Sequence, residues 1–327
     1  MIKLQRIILN TGPVRYVTNR SKKIILPGFD GLPLYDVVQF FLTQIRKESL
    51  SERASAVSYN FIMAIPPACL FLFTIVPQLP FLPKRPLKRQ LHRLIVDIVP
   101  APEYNKHIME FIDSFLDETR VGLISFGFIL LIFFASNGMM GLMRSFNKNY
   151  IGFEKRSELQ SRWTAIKLTT IMMGLVLLCL TFLIMQGVVW RWIGIKSDIL
   201  ITLINSIRWV FIIGLIFYSI AFIYKYAPAI QKRWRLVSPG SVLATFLSIL
   251  STLSFSIFVN NFGKYNALYG SIGTVIVLMS IIYINSLVLL IGYELNVSIH
   301  SMKALAEERT RQEEKAQLAA STNSISQ

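Results

Sequence analysis

Long apolar runs alternate with short charged stretches along this chain. Six runs stand out, at roughly 56–78, 121–143, 165–189, 204–224, 236–259 and 272–296. An α-helix rises 1.5 Å per residue, so a hydrocarbon layer about 30 Å thick takes about 20 residues. Each run has that length. The second, Val121 to Met143, carries no charged residue, and neither does the fifth, Leu236 to Asn260. The stretch from Leu123 to Phe134 is continuously apolar rather than alternating, which excludes the strands of a closed barrel. In the fourth run, Arg208 lies in the first turn and is expected to reach back to the interface. The pattern predicts an all-α integral membrane protein of six transmembrane helices.

Weaker periodicities lie between the spans. Leu34, Val37, Val38, Phe41 and Ile45 recur at helical spacing, with Asp36, Gln39, Thr43, Arg46 and Lys47 on the other faces. This predicts an interfacial helix leading into the first span. Leu87, Leu91, Leu94, Ile95 and Ile98, then Ile108, Phe111, Ile112 and Phe115, flank Pro100-Ala-Pro102. They predict an amphipathic cap over about 83–118. Lys303 to Ala320 reads as a solvated helix and Ser321 to Gln327 as disordered. The expected organisation is a cytoplasmic N-terminal segment (1–55), a membrane domain (56–300) and a cytoplasmic tail (301–327).

Composition agrees with the pattern. Of 327 residues 53% are hydrophobic and 16% charged, against about a quarter charged in soluble domains. Orientation follows from the basic residues. With an even number of spans both ends share a side, and that side holds 23 of the 34 lysines and arginines. Both termini are therefore expected in the cytoplasm. The basic segment Pro83 to Arg93 falls on the outer side, where six carboxylates between Asp97 and Glu118 offset it. The first 30 residues lack a compact apolar core with a cleavage site, so the first span is expected to act as an uncleaved signal. Cys69 and Cys179 both lie within spans and read as packing residues.

Polar groups inside the spans are where function is sought. Pro66-Pro67 interrupts the first span: two prolines remove two backbone donors. Either the helix is kinked and packed, or it is broken beside a substrate path. Arg53, Arg144, Lys225 and Glu294 all fall near the same interface, and Glu294 is the one acid within a span. Two readings stay open: an ion pair that locks helices, or a basic pocket for an anionic headgroup with Glu294 orienting an arginine. Tyr59, Asn60, Asn137, Gln186, Asn285, Tyr265 and Tyr269 add polar groups that could pair helices, anchor at the interface or line a cavity.

Several of these residues sit in motifs that resemble the YihY/virulence factor BrkB family. The first is Arg53-Ala-Ser-Ala-Val-Ser-Tyr59 before Pro66, and the second is Met143-Arg-Ser-Phe-Asn147. Tyr224-Lys-Tyr-Ala-Pro228 follows, with Trp234 and Ser238-Pro-Gly240. Asn261 to Gly273 and Gly292-Tyr-Glu-Leu-Asn296 complete the set. The resemblance covers roughly 45–300. It implies a six-helix bacterial inner-membrane protein, with some members linked to envelope lipid handling. The family's older label, ribonuclease BN, finds no support in these residues: His92, His107 and His300 are far apart and no His/Asp cluster could hold a catalytic metal. The +16 charge follows the positive-inside pattern rather than a nucleic-acid surface. No Walker motif occurs.

The expectation is a non-enzymatic protein, without cofactor or metal, that binds or moves an anionic lipid or a related envelope amphiphile. Its partners would be membrane lipids and not nucleic acid. A membrane scaffold that docks an envelope protein is the alternative. Oligomeric state is left open.

Overall fold

The computed structural model describes residues 12–47, 49–75, 109–110, 113, 121–146, 156–193, 198–230, 233–261 and 264–325. Nine helices are described: α1 (Gly12–Ser21), α2 (Leu34–Lys47), α3 (Leu50–Ile62), α4 (Ile65–Ile75), α5 (Val121–Phe146), α6 (Glu158–Ile193), α7 (Asp198–Tyr226), α8 (Pro239–Asn261) and α9 (Lys264–Ile325). Six segments are long and apolar enough to cross a membrane: Leu50–Phe71, Ser125–Phe146, Glu158–Cys179, Trp209–Tyr226, Pro239–Phe258 and Val275–Lys315. The outer cap expected over about 83–118 lies outside the described residues apart from Met109, Glu110 and Asp113.

Local sequence explains where the helices begin and stop. Ser157 and Gln160 form a capping box at α6: the Gln160 N–H donates to Ser157 Oγ and the Ser157 N–H to Gln160 Oε1. Ser238 and Ser241 exchange the same pair of bonds at α8, with Pro239 as the first helical residue. At the far end of α7, Arg156 donates to the carbonyls of Ala227 and Pro228, both at 3.1 Å. A cation there answers the unsatisfied carbonyls of a helix C-terminus. The first span is two helices. α3 ends at Ile62 and α4 starts at Ile65, with Pro66 and Pro67 in the first turn of α4. A proline costs least in a first turn, where its missing N–H has no intrahelical partner. The Ala68 N–H bonds back to Ala64 at 3.0 Å, so the new helix is regular directly after the prolines.

The spans pack as a ring: α3 and α4 on α5, α5 on α6, α6 on α7, α7 on α8, α8 on α9, and α9 back on α3. The core joins Leu142, Met143 and Phe146 of α5 to Tyr224 of α7, Ala244 of α8 and Leu290, Tyr293 and Val297 of α9. A smaller cluster forms at the chain-terminal end. Phe29 and Val37, with Leu34 and Phe41, pack against Leu295 and Ile299. The stripe on α2 is therefore split: Val37 faces protein, while Val38 is exposed. α9 continues through Ile325, into the segment expected to be disordered, and from Leu305 to Lys315 every residue is exposed.

Candidate functional site

Arg53 and Glu294 meet inside the bundle. Arg53 Nη1 lies 2.7 Å from Glu294 Oε1, and the Glu294 side chain is 0% exposed. Arg53 Nη2 also donates to the carbonyl oxygen of Ser145 at the end of α5. One guanidinium thus ties α3, α5 and α9 together. The sequence pattern put the first span's start at 56 because Ser51-Glu52-Arg53 is polar. The helix starts at Leu50 because Arg53 turns inward to a buried partner. A charge pair in this setting is costly to form and more costly to break on one side only.

The other two members of the expected charge cluster have different surroundings. Arg144 is exposed, on the α5 turn that ends beside the pair, and it makes no ion pair with Glu294. Lys225 stacks its ammonium over Tyr226 at 5.4 Å, and Arg233 approaches the same ring at 5.3 Å. Among the described residues, neither Arg144 nor Lys225 forms an ion pair with Glu294.

Directly beside Glu294, α8 and α9 cross at backbone contact. A Cβ on Gly240 would sit 2.1 Å from the Gly292 carbonyl oxygen, and one on Gly292 would sit 2.6 Å from the Tyr224 hydroxyl. Only glycine fits either place. Asn296 seals the crossing: Oδ1 accepts the Gly240 N–H at 2.8 Å, and Nδ2 donates to Ser238 Oγ at 2.9 Å. Aromatics fill the remaining space. Tyr293 stacks on Phe146 with centroids 3.8 Å apart and donates its hydroxyl to the Phe146 carbonyl. Tyr224 donates to the Leu289 carbonyl at 2.6 Å.

Of the neutral polar residues, Asn285 bonds Ser248 across α8 and α9, and Asn137 accepts from Arg162 Nη1 across α5 and α6. Asn60 turns back onto the Ala56 carbonyl at 2.7 Å and lies against Gly141. Tyr59 is 62% exposed on the outer face of α3. Pro66 is exposed and Pro67 buried. Tyr265 and Tyr269 fall in the first turns of α9, and their side chains lie outside the described residues, as does that of Gln186.

Two cavities flank this core. One is an open groove of about 290 Å³ between α3 and α9, lined by Phe61, Ile281, Ile282, Asn285, Ser286 and Leu289. It lies beside the Ile62–Ile65 break. The other, about 320 Å³, lies at the end of the bundle where α2 packs on α9, and is lined by Arg233, Trp234, Asn296, His300 and Lys303 among others. No group of three or more His, Cys, Asp or Glu residues that could hold a metal ion occurs among the described residues.

The model of the family described as virulence factor BrkB matches residues 41–318. The chain belongs to this family. A Bacillus subtilis (strain 168) relative, YfkH, named ribonuclease-like, is 31% identical over 264 residues, covering 78% of this chain and 92% of its own. A UPF0761 membrane protein of Tolumonas auensis is 24% identical, covering 80% of this chain and 84% of its own. Another, of Idiomarina loihiensis, is 26% identical over 65% of this chain and 73% of its own. No solved structure matches.

Most of the motifs that carry the BrkB resemblance converge on one place. Arg53 meets Glu294, Phe146 meets Tyr293, Tyr224 meets Gly292, and the Ser238-Pro-Gly240 turn meets Asn296. The Gly292-Tyr-Glu-Leu-Asn296 segment is the hub that these residues touch, while the Asn261 to Gly273 motif spans the α8–α9 connection and the first turns of α9. Sequence reasoning about charge found Arg53 and Glu294. It missed the Gly240–Gly292 crossing, the Asn296 clamp and the Arg156 cap, because a glycine or amide in an apolar run gives no sign of its partner.

Proposed function

We propose that this BrkB-family membrane protein binds or moves an anionic lipid or a related amphiphile, without itself catalysing a reaction. It does so in a bacterial inner membrane with both termini in the cytoplasm. The observation that carries the reading is the open, mainly apolar groove beside the break in the first span. Phe61, Ile282 and Leu289 offer a surface for an acyl chain, while the Asn285 amide in the groove wall is already held by Ser248 and the Ile281 carbonyl. A break in a spanning helix leaves the carbonyls of Ile62 and Met63 without the donors that residues 66 and 67 would supply in a regular helix. Backbone of that kind is tolerated at membrane depth where it lies against protein or a cavity. The orientation rests on the excess of basic residues at the end that carries both termini.

The test is native mass spectrometry of the purified protein with defined lipids. Ile282→Trp, which fills the groove, is expected to reduce retained lipid while the helical signal stays unchanged. Equal retention of all lipids by both proteins would defeat the reading. The scaffold alternative draws on a different feature, the charged and exposed extension of α9 from Leu305 to Lys315. Deleting 305–327 would abolish partner capture under that reading and leave lipid retention intact under ours.

A further inference from the structure

The second cavity has chemistry of its own. Three segments that are distant in sequence build it: the loop before α2, the α7–α8 connection and the middle of α9. The loop is fixed by its backbone. Gly28 has φ 87° and lies so close to the Pro239 ring that a Cβ would stand 3.0 Å from it. This holds Asp30 at the cavity, where its carboxylate takes Lys303 Nζ at 3.1 Å. Arg233 and Arg235 line the same space and make no ion pair among the described residues. The Arg233 guanidinium over the Tyr226 ring is positioned without being neutralised.

Between the two arginines stands Trp234. Its Nε1 is buried and has no hydrogen-bond partner among the described residues. Glu307 also lines the cavity. Even so, the two exposed arginines at the cavity are cations that no carboxylate pairs with among the described residues. The geometry points to a binding site for a phosphate-bearing anion, held by Arg233 and Arg235 over the wall formed by Trp234, with the Lys303–Asp30 pair at its side. Guanidinium groups match phosphate oxygens in paired hydrogen bonds, and the volume suits one such group with a small substituent.

The anion could be a lipid headgroup or a soluble phosphate. The two cavities are lined from the same face of α9: Ile282, Asn285 and Leu289, then Asn296, His300 and Lys303, recur at helical spacing. In the headgroup case the inference rests on the amphiphile reading above; in the soluble case it stands without it.

Two probes separate them on the full-length protein in detergent: inorganic phosphate, read by thermal shift, and phosphatidylglycerol against phosphatidylcholine, read by native mass spectrometry. Arg233→Gln combined with Arg235→Gln is expected to weaken one probe at least about tenfold. Asp30→Asn releases Lys303 toward the cavity and is expected to tighten the same probe about threefold. Loss of phosphatidylglycerol selectivity alone assigns a headgroup. Loss of the phosphate shift alone assigns a soluble ligand. Where the double variant does not fold, Asp30→Asn decides by itself. If neither probe responds to either change, the site is refuted. In that event a persisting effect of Ile282→Trp on lipid would leave the groove reading intact.

Discussion

The last helix is two different objects end to end. From Val275 to Met279 its apolar residues point outward: Val275, Ile276, Leu278 and Met279 are all exposed. From Val288 to Ser301 nearly every residue is buried, and these include Glu294, Asn296, Ser298 and Ser301. Hydropathy would rank the two halves the other way. The apolar half meets what surrounds the protein, which in a bilayer is as apolar as the residues themselves. The polar half meets protein, because a carboxylate or amide at that depth must find its partners inside the bundle. In a spanning helix, polar residues therefore mark the packed face and plain apolar residues the face left to lipid. The groove beside Asn285 lies where one half passes into the other.

Substitutions in the two halves should behave accordingly. The largest effect is expected at the buried pair. Glu294→Gln leaves Arg53 without its counter-charge and should cost about 3–5 kcal/mol in unfolding by heat or detergent titration. Arg53→Met combined with Glu294→Leu should recover much of that loss. A double variant no better than the single would mean the pair is not what makes the site sensitive. Next comes Gly240→Ala, where the added Cβ meets a backbone carbonyl that cannot swing aside; a loss of about 3 kcal/mol is expected. Gly214→Ala, with nothing within 4 Å of the new methyl, should lose nothing. Asn296→Leu removes the acceptor of the Gly240 N–H and should cost about 1–3 kcal/mol in the same assay. The smallest effect is at Arg144. Arg144→Ala should shift stability by no more than about 0.5 kcal/mol, since the side chain is exposed. A large loss there would show that the charge cluster extends beyond Arg53 and Glu294.

Much of the architecture was legible beforehand, and particular residues show why. Ser157-x-x-Gln160 and Ser238-Pro239 write helix starts in local chemistry, although the apolar runs by themselves put the first of these starts at 165. Pro66-Pro67 marks an interruption because proline's constraint is local too. Glu294 could be assigned a partner in advance, since a lone acid at membrane depth requires one. Which arginine would serve was not legible. Arg53 and Arg144 lie at matching depth, and only the rotation of α3 and α5 about their axes turns one inward and the other out. Nor was it legible that Lys225 would lie over the ring of Tyr226.

Six crossings, their order and their approximate bounds were determined by the sequence alone, because the thickness of a bilayer sets the length of an apolar run whatever its neighbours are. Tertiary structure decided what each crossing faces. It placed Gly240 against Gly292, brought Arg53 to Glu294 across 241 residues of chain, and gathered Gly28, Arg233 and Lys303 around one cavity. Hydrophobicity is a sum along the chain and survives any rotation of a helix. Contact depends on that rotation, which only the packing of the neighbouring helices fixes.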